Sequence, residues 1–158
     1  MKIDPYNHKE KYLHWKNKTK DGIPNVSKEN SDIIMQYLSD MEKGVNIARV
    51  STKGARSYTR LNSLKDRMTL FAKKFKELYD LAKITDITEE QLMGFFSDMK
   101  NGTIKRLDGT QYISVNTFAS VFKSFWHWWQ KVNKKKGIDI QDITADLDTR
   151  QEKPDWVY

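Results

Sequence analysis

Seven apolar residues that recur at alternating steps of three and four place the strongest constraint on how this chain folds. They are Leu61, Leu64, Met68, Phe71, Phe75, Leu78 and Ala82. These steps put all seven on one face of an α-helix, whereas a half-buried strand would need a period of two. The pattern therefore predicts a long amphipathic helix over about residues 55–82.

Three further segments have the spacing and the start signals of helices. One covers about residues 28–43, a second begins with a capping box at Thr88, and a third runs over about 114–132. Residues 138–148 are compatible with one more short helix, because isoleucine and leucine recur there at helical steps. The chain is thus predicted to be all-α, a compact bundle of four to five helices.

A turn signal separates the helix that begins at Thr88 from the helix over 114–132. Asp108-Gly109 is a pair typical of two-residue hairpin turns, and residues able to form short strands flank it. A small hairpin or an extended loop is expected there.

The stretch SVFKSFWHWWQK, residues 120–131, contains five aromatic side chains, which suggests either a stacking platform for bases or a helix core. On a helical wheel one arc holds Phe118, Val121, Phe122, Phe125, Trp129 and Val132. Trp126 and Trp128 lie at the two edges of that arc. A stacking platform needs exposed rings along a groove, so only these two edge residues qualify for it. The rest of the stretch is predicted to be core.

The opposite side of this helix is polar. It carries Asn116, Thr117, Ser120, Lys123, Ser124, His127 and Lys131. Such side chains can donate to phosphates and base edges, and their small size allows a helix to approach a groove closely. An ordinary solvated helix face would have the same composition.

Positive charge is concentrated in two segments of the chain, whose formal net charge is +7. Residues 43–76 contain ten Lys or Arg and one acidic residue, and residues 100–136 contain eight and one. In the first segment, one flank of the apolar stripe carries Arg56, Arg60, Arg67 and Lys74. Basic side chains in such a row can follow a phosphate backbone, or they can lie along apolar surface without binding anything.

The sequence lacks the residues that several kinds of catalytic, metal and cofactor sites require. The chain has no cysteine, no glycine-rich phosphate loop and no metal-ligand pattern among its three histidines. A Ser/His/Asp site stays open, because such triads assemble only in space. No catalytic residue, metal or cofactor is predicted for this chain, and the lack of a long apolar run or secretion signal favours a cytoplasmic protein.

The same residues resemble a known family. The segment Ser120–Trp129 is similar to the last long helix of the core-binding domain in tyrosine recombinases (phage-type integrases), most like an archaeal one. Thr117 resembles the threonine that opens that helix. The stripe through Leu64, Met68, Phe71 and Phe75, preceded by a basic stretch, is similar to the family's other long helix.

The resemblance implies a SAM-like helical domain over residues 27–148 that binds double-stranded DNA at a recombination half-site. Outside the resemblance, residues 1–26 are polar with scattered aromatic residues and are predicted to form an arm or short helix, and the polar residues 149–158, which contain Pro154, are predicted to be a linker. The resemblance places a catalytic domain after that linker. The DNA contacts it implies are Arg56, Arg60, Arg67, Asn116, Thr117, Ser120, Lys123 and His127. Lys74 and Lys131 extend the same two faces.

The family's His-x-x-Arg motif does not occur here, so no tyrosine of this chain inherits the nucleophile's role. The chain is expected to be either part of a longer recombinase that acts with other protomers, or a standalone relative without catalysis. The alternative function is a basic helical module that binds an acidic protein rather than a DNA sequence.

Overall fold

The computed structural model describes residues 6–47 and 54–150, and within these ranges the chain is helical. The α-helices are α1 (His8–Lys18), α2 (Lys28–Lys43), α3 (Tyr58–Tyr79), α4 (Glu89–Lys100) and α5 (Val115–Lys135), with one 3₁₀ turn at Ile84–Asp86. Among the described residues no strand forms, and the one β-type pairing is an isolated bridge. The predicted all-α class is confirmed.

The helices form two compact units, residues 1–86 with α1 to α3 and residues 87–158 with α4 and α5. This division is not among the sequence-based predictions. The boundaries predicted at residues 26 and 148 separate the N-terminal segment, the DNA-binding domain and the linker, and they stay predictions. The linker over 149–158 lies almost wholly outside the described residues.

In the first unit, α3 is shorter than the predicted 55–82. The Ser57 hydroxyl accepts a hydrogen bond from Arg60 N at 3.2 Å and begins the helix, and Asp80 ends it in the left-handed conformation. The predicted stripe is buried from Leu61 to Phe75, but Leu78 is 43% exposed. Arg56 precedes the helix, and its backbone N donates to Met41 O at 2.9 Å.

The N-terminal segment contributes a helix to this unit. Tyr12 of α1 is buried, and the Asn62 side chain of α3 donates to His8 O at 2.9 Å. Glu42 of α2 accepts from Lys16 Nζ at 2.8 Å and from the Tyr58 hydroxyl at 3.3 Å. These contacts link α1 to both α2 and α3.

A close backbone contact follows α2. Gly44 ends the helix with a φ of 75°, and a Cβ atom there would lie 2.6 Å from the Gly54 carbonyl carbon. Only glycine has both the conformational freedom and the space for this position.

In the second unit, the predicted capping box is present: Thr88 and Gln91 exchange side-chain to backbone hydrogen bonds, both at 3.1 Å. The turn near Asp108-Gly109 is a hairpin with a three-residue tip rather than the two-residue turn expected. Gly109 N donates to Arg106 O at 2.9 Å, and Arg106 N donates to Thr110 O at 2.8 Å. Gly109 takes the left-handed conformation, as the third residue of such tips does.

The short helix suggested over 138–148 is wrong, because residues 143–146 form a turn. The Asp142 carboxylate accepts from both Thr144 N, at 2.9 Å, and the Thr144 hydroxyl, at 2.6 Å. Local side-chain bonds of this kind compete with helix formation.

Gly44→Ala is expected to destabilise the first unit by more than about 1 kcal/mol, because it adds a steric clash to the cost of a positive φ. Gly137→Ala is the matched control: Gly137 also follows a helix and has a φ of 80°, close to that of Gly44, but nothing beyond its chain neighbours lies within 4 Å of its added Cβ. Urea unfolding followed by far-UV circular dichroism measures both. Equal losses in the two variants would contradict the close approach at Gly44.

Candidate nucleic-acid interface

Three of the predicted DNA-binding residues form an electrostatic cluster in the first unit. Arg60 and Arg67 lie two turns apart on α3, and Arg56 lies just before its N-cap. All three are half-exposed. We refer to Arg56, Arg60 and Arg67 as the arginine cluster.

The charges of the cluster act on neighbouring groups and on one another. Burial, with a further contribution from Arg60, lowers the pKa of Arg67. Burial raises the pKa of Tyr37 to about 12, although the nearby Arg60 and Arg56 act to lower it. Arg67 stays positively charged at neutral pH, because even a lowered guanidinium pKa lies far above it. The cluster therefore holds three like charges on one unit.

The surroundings of the cluster leave part of this charge without compensation. Across residues 6–47 and 54–150, no carboxylate lies within 4 Å of the Arg60 guanidinium. Arg67 Nη1 donates to the Ser63 hydroxyl, which orients its side chain along α3. Lys74 is different, because its largely buried side chain lies 3.4 Å from Glu77. The structure does not bring Lys74 into the cluster.

The predicted polar face of α5 is divided. Thr117, Ser120, Lys123 and Lys131 are half-exposed, as a contact surface requires. Asn116 is buried, and its side-chain amide donates to Arg150 O at 2.8 Å. The prediction that Asn116 lies on the open polar face is therefore wrong.

Residues 138–150, which we call the strap, run antiparallel along one side of α5. Gln130 donates to Ile140 O and Trp126 Nε1 to Gln141 O, both at 2.8 Å. His127 Nε2 lies 3.2 Å from the Asp142 carboxylate. Thr144 and Leu147 are buried. The strap thus occupies part of the face that the helical wheel assigned to solvent, including the position of His127.

The two tryptophans at the edges of the predicted core are buried. Trp126 is 3% and Trp128 1% exposed, whereas Trp129, placed in the centre of the core arc, is half-exposed. Neither edge ring is available for base stacking, which needs an open face. The prediction that these two residues alone could form a platform is corrected, and the aromatic stretch is core except at the half-exposed Trp129.

Two features of this unit were not predicted. The hairpin tip presents Leu107 fully to solvent, and Asp142 supplies a partner to His127. The Asp-x-Thr pattern at 142–144 is a sequence signal for the second, since this spacing is typical of side-chain turns. No comparable signal marks Leu107.

Neither a family model, nor a curated protein, nor a solved structure matches this chain. In the part of the chain that the structure describes, no group of three or more His, Asp or Glu side chains is placed to hold a metal ion. Likewise, no described helix is long and apolar enough to cross a membrane.

The Asp142 carboxylate makes the second unit sensitive to acid. Burial acts to raise the pKa of Asp142, but hydrogen bonds from Thr144 and His127 outweigh burial and lower it. The carboxylate therefore stabilises the fold at pH values above its unfolded pKa of about 4, and this contribution is lost as the pH falls through the folded value.

Asp142→Asn is expected to reduce the loss of stability between about pH 7 and about pH 3 by roughly 0.5–1 kcal/mol relative to wild type. Urea unfolding followed by tryptophan fluorescence measures it, because Trp126 contacts the strap. Asp146→Asn removes an exposed carboxylate of the same segment and controls for the change in charge. An acid response equal to wild type in Asp142→Asn would contradict this role.

Proposed function

We propose that this chain binds double-stranded DNA, with the arginine cluster as its main phosphate contact. The observation that carries the proposal is the row formed by Arg56, just before α3, and Arg60 and Arg67 in the N-terminal half of that helix, all three half-exposed, with no carboxylate of the described residues within 4 Å of Arg60. Like charges repel, so holding them together costs stability unless a polyanion binds there. Guanidinium groups also suit phosphate, since they donate in a planar fork.

The open part of the α5 face is the second proposed contact. Thr117, Ser120, Lys123 and Lys131 combine two hydroxyls with two cations on half-exposed positions of one helix. Hydroxyl and ammonium donors of this kind serve both phosphate contacts and base-edge contacts. Sequence preference is proposed to come from this face.

The resemblance to tyrosine recombinases gives this binding a context. It supports a role in DNA integration and recombination, as the N-terminal core-binding part of an integrase that acts with other protomers in the cytoplasm. In this proposal the chain positions DNA, and strand cleavage and rejoining belong to a separate catalytic domain.

Arg60→Gln is expected to weaken binding to a duplex several-fold and to reduce the slope of log Kd against log salt concentration by about one, since one phosphate contact is lost. Fluorescence anisotropy of a labelled duplex between about 50 and about 200 mM salt measures both. Lys73→Gln is the matched control, because it removes one positive charge from an exposed position of the same helix. Equal effects of the two variants would mean that binding depends on net charge and not on the cluster.

A selection from random duplex DNA at about 150 mM salt tests the half-site role, because base contacts persist where purely electrostatic binding weakens. The expected result is an enriched motif for the wild type that is lost when Arg60→Ala and Lys123→Ala are combined. No enrichment with either protein would overturn recognition of a specific site and favour an acidic protein partner.

A further inference from the structure

The hairpin between α4 and α5 is a small, well-braced projection of the second unit. An antiparallel bridge pairs Lys105 with Gln111, and the Gln111 side chain donates to Lys100 O at 2.7 Å at its base. Ile104 is buried, and Tyr112 contacts the Phe118 ring edge-on, with centroids 5.6 Å apart. The arms of the hairpin are therefore held against the unit while its tip projects.

The tip presents an aliphatic side chain that the fold does not use. Leu107 is as exposed as in an extended chain, with a relative accessibility of 105%. A leucine left fully in water contributes none of the stabilisation that its burial would give. A single exposed leucine is common on protein surfaces, so the groups around Leu107 decide whether it has a role.

Two cations precede Leu107. Lys105 and Arg106 are both exposed, and neither has a carboxylate within 4 Å among the described residues. The one acidic residue of the tip, Asp108, is occupied by the turn, since its carboxylate accepts from Thr110 N at 3.0 Å and from the Thr110 hydroxyl at 2.6 Å. The tip thus presents one exposed aliphatic side chain, Leu107, next to two exposed positive charges, Lys105 and Arg106.

We propose that the hairpin tip inserts into the minor groove of duplex DNA, where Leu107 acts as a wedge against a base step while Lys105 and Arg106 contact the flanking phosphates. An apolar side chain inserted between base pairs partly unstacks them and bends the duplex. Charge complementarity selects DNA as the partner, because the same tip carries cations that a purely apolar protein groove would leave unpaired. This inference rests on the proposed DNA binding and adds a bending activity to it.

The test measures bending separately from binding. A duplex of about 30 base pairs with a flexible central TA step carries a donor and an acceptor dye at its two ends, so bending raises energy transfer. With wild-type protein at saturation, energy transfer is expected to increase. Leu107→Ala is expected to abolish most of this increase and to weaken binding about 3- to 10-fold. Leu107→Phe, which retains an apolar wedge, is expected to keep the bend.

Ile113→Ala is the matched control, because Ile113 is also an exposed aliphatic residue of this loop, at 74%, but lies outside the tip. It is expected to bind and bend DNA as wild type does. Since Leu107 is in contact with solvent alone, its replacement leaves the fold unchanged, and circular dichroism checks this.

The outcomes separate the two proposals. Binding without bending, or bending that Leu107→Ala leaves unchanged, would overturn the wedge while the proposed DNA binding stands, and would point to a protein groove as the place for Leu107. Failure of the wild type to bind any duplex at about 150 mM salt would overturn both. Bending lost in Leu107→Ala but retained in Ile113→Ala would support the wedge.

Discussion

Helix α5 has buried positions around more of its circumference than one neighbouring helix covers, and the rest of the second unit is arranged to bury them. On α5 the buried positions extend over more than half of the helix circumference. Helix α4 covers part of this surface, where Phe96 meets Phe122 edge-on with centroids 6.5 Å apart. The strap covers another part, and its path is set by Trp126, because a buried indole N–H needs an acceptor and Gln141 O supplies it.

The parts of this fold that depend on nearby residues could be predicted from the sequence. The stripe from Leu61 to Phe75 and the capping box at Thr88 are such features, because helix periodicity and capping act within a few positions. The placement of Asn116 and Trp126 could not be predicted in this way. A helical wheel shows which residues of α5 share a side. It cannot show that another segment of the chain, here the strap, covers that side. For the candidate site, the sequence indicated the three arginines but could not show which of the α5 residues stay accessible.

The residues proposed to contact DNA divide between the two units, with the arginine cluster in the first and the α5 face and hairpin tip in the second. Each unit offers only a few contacts, which alone would bind weakly at physiological salt. Because one chain connects the units, binding by one raises the effective concentration of the other at the same duplex. In this proposal the two linked units together bind a duplex more tightly than either unit alone. One unit then anchors phosphates while the other deforms the duplex.

The contact between Gly44 and Gly54 has a consequence for how this chain can vary. The backbone leaves α2 and returns towards α3 so closely that a Cβ on Gly44 would lie 2.6 Å from the Gly54 carbonyl carbon, and the hydrogen bond from Arg56 N to Met41 O holds the two ends together. The connection between the two glycines therefore closes a loop whose ends are held by other contacts. Lengthening such a connection costs little, about 0.6 kcal/mol of closure entropy for each doubling. An insertion between Ile47 and Gly54 is therefore expected to leave the register of the helices on either side unchanged, whereas Ile47 itself is buried and has to keep its place.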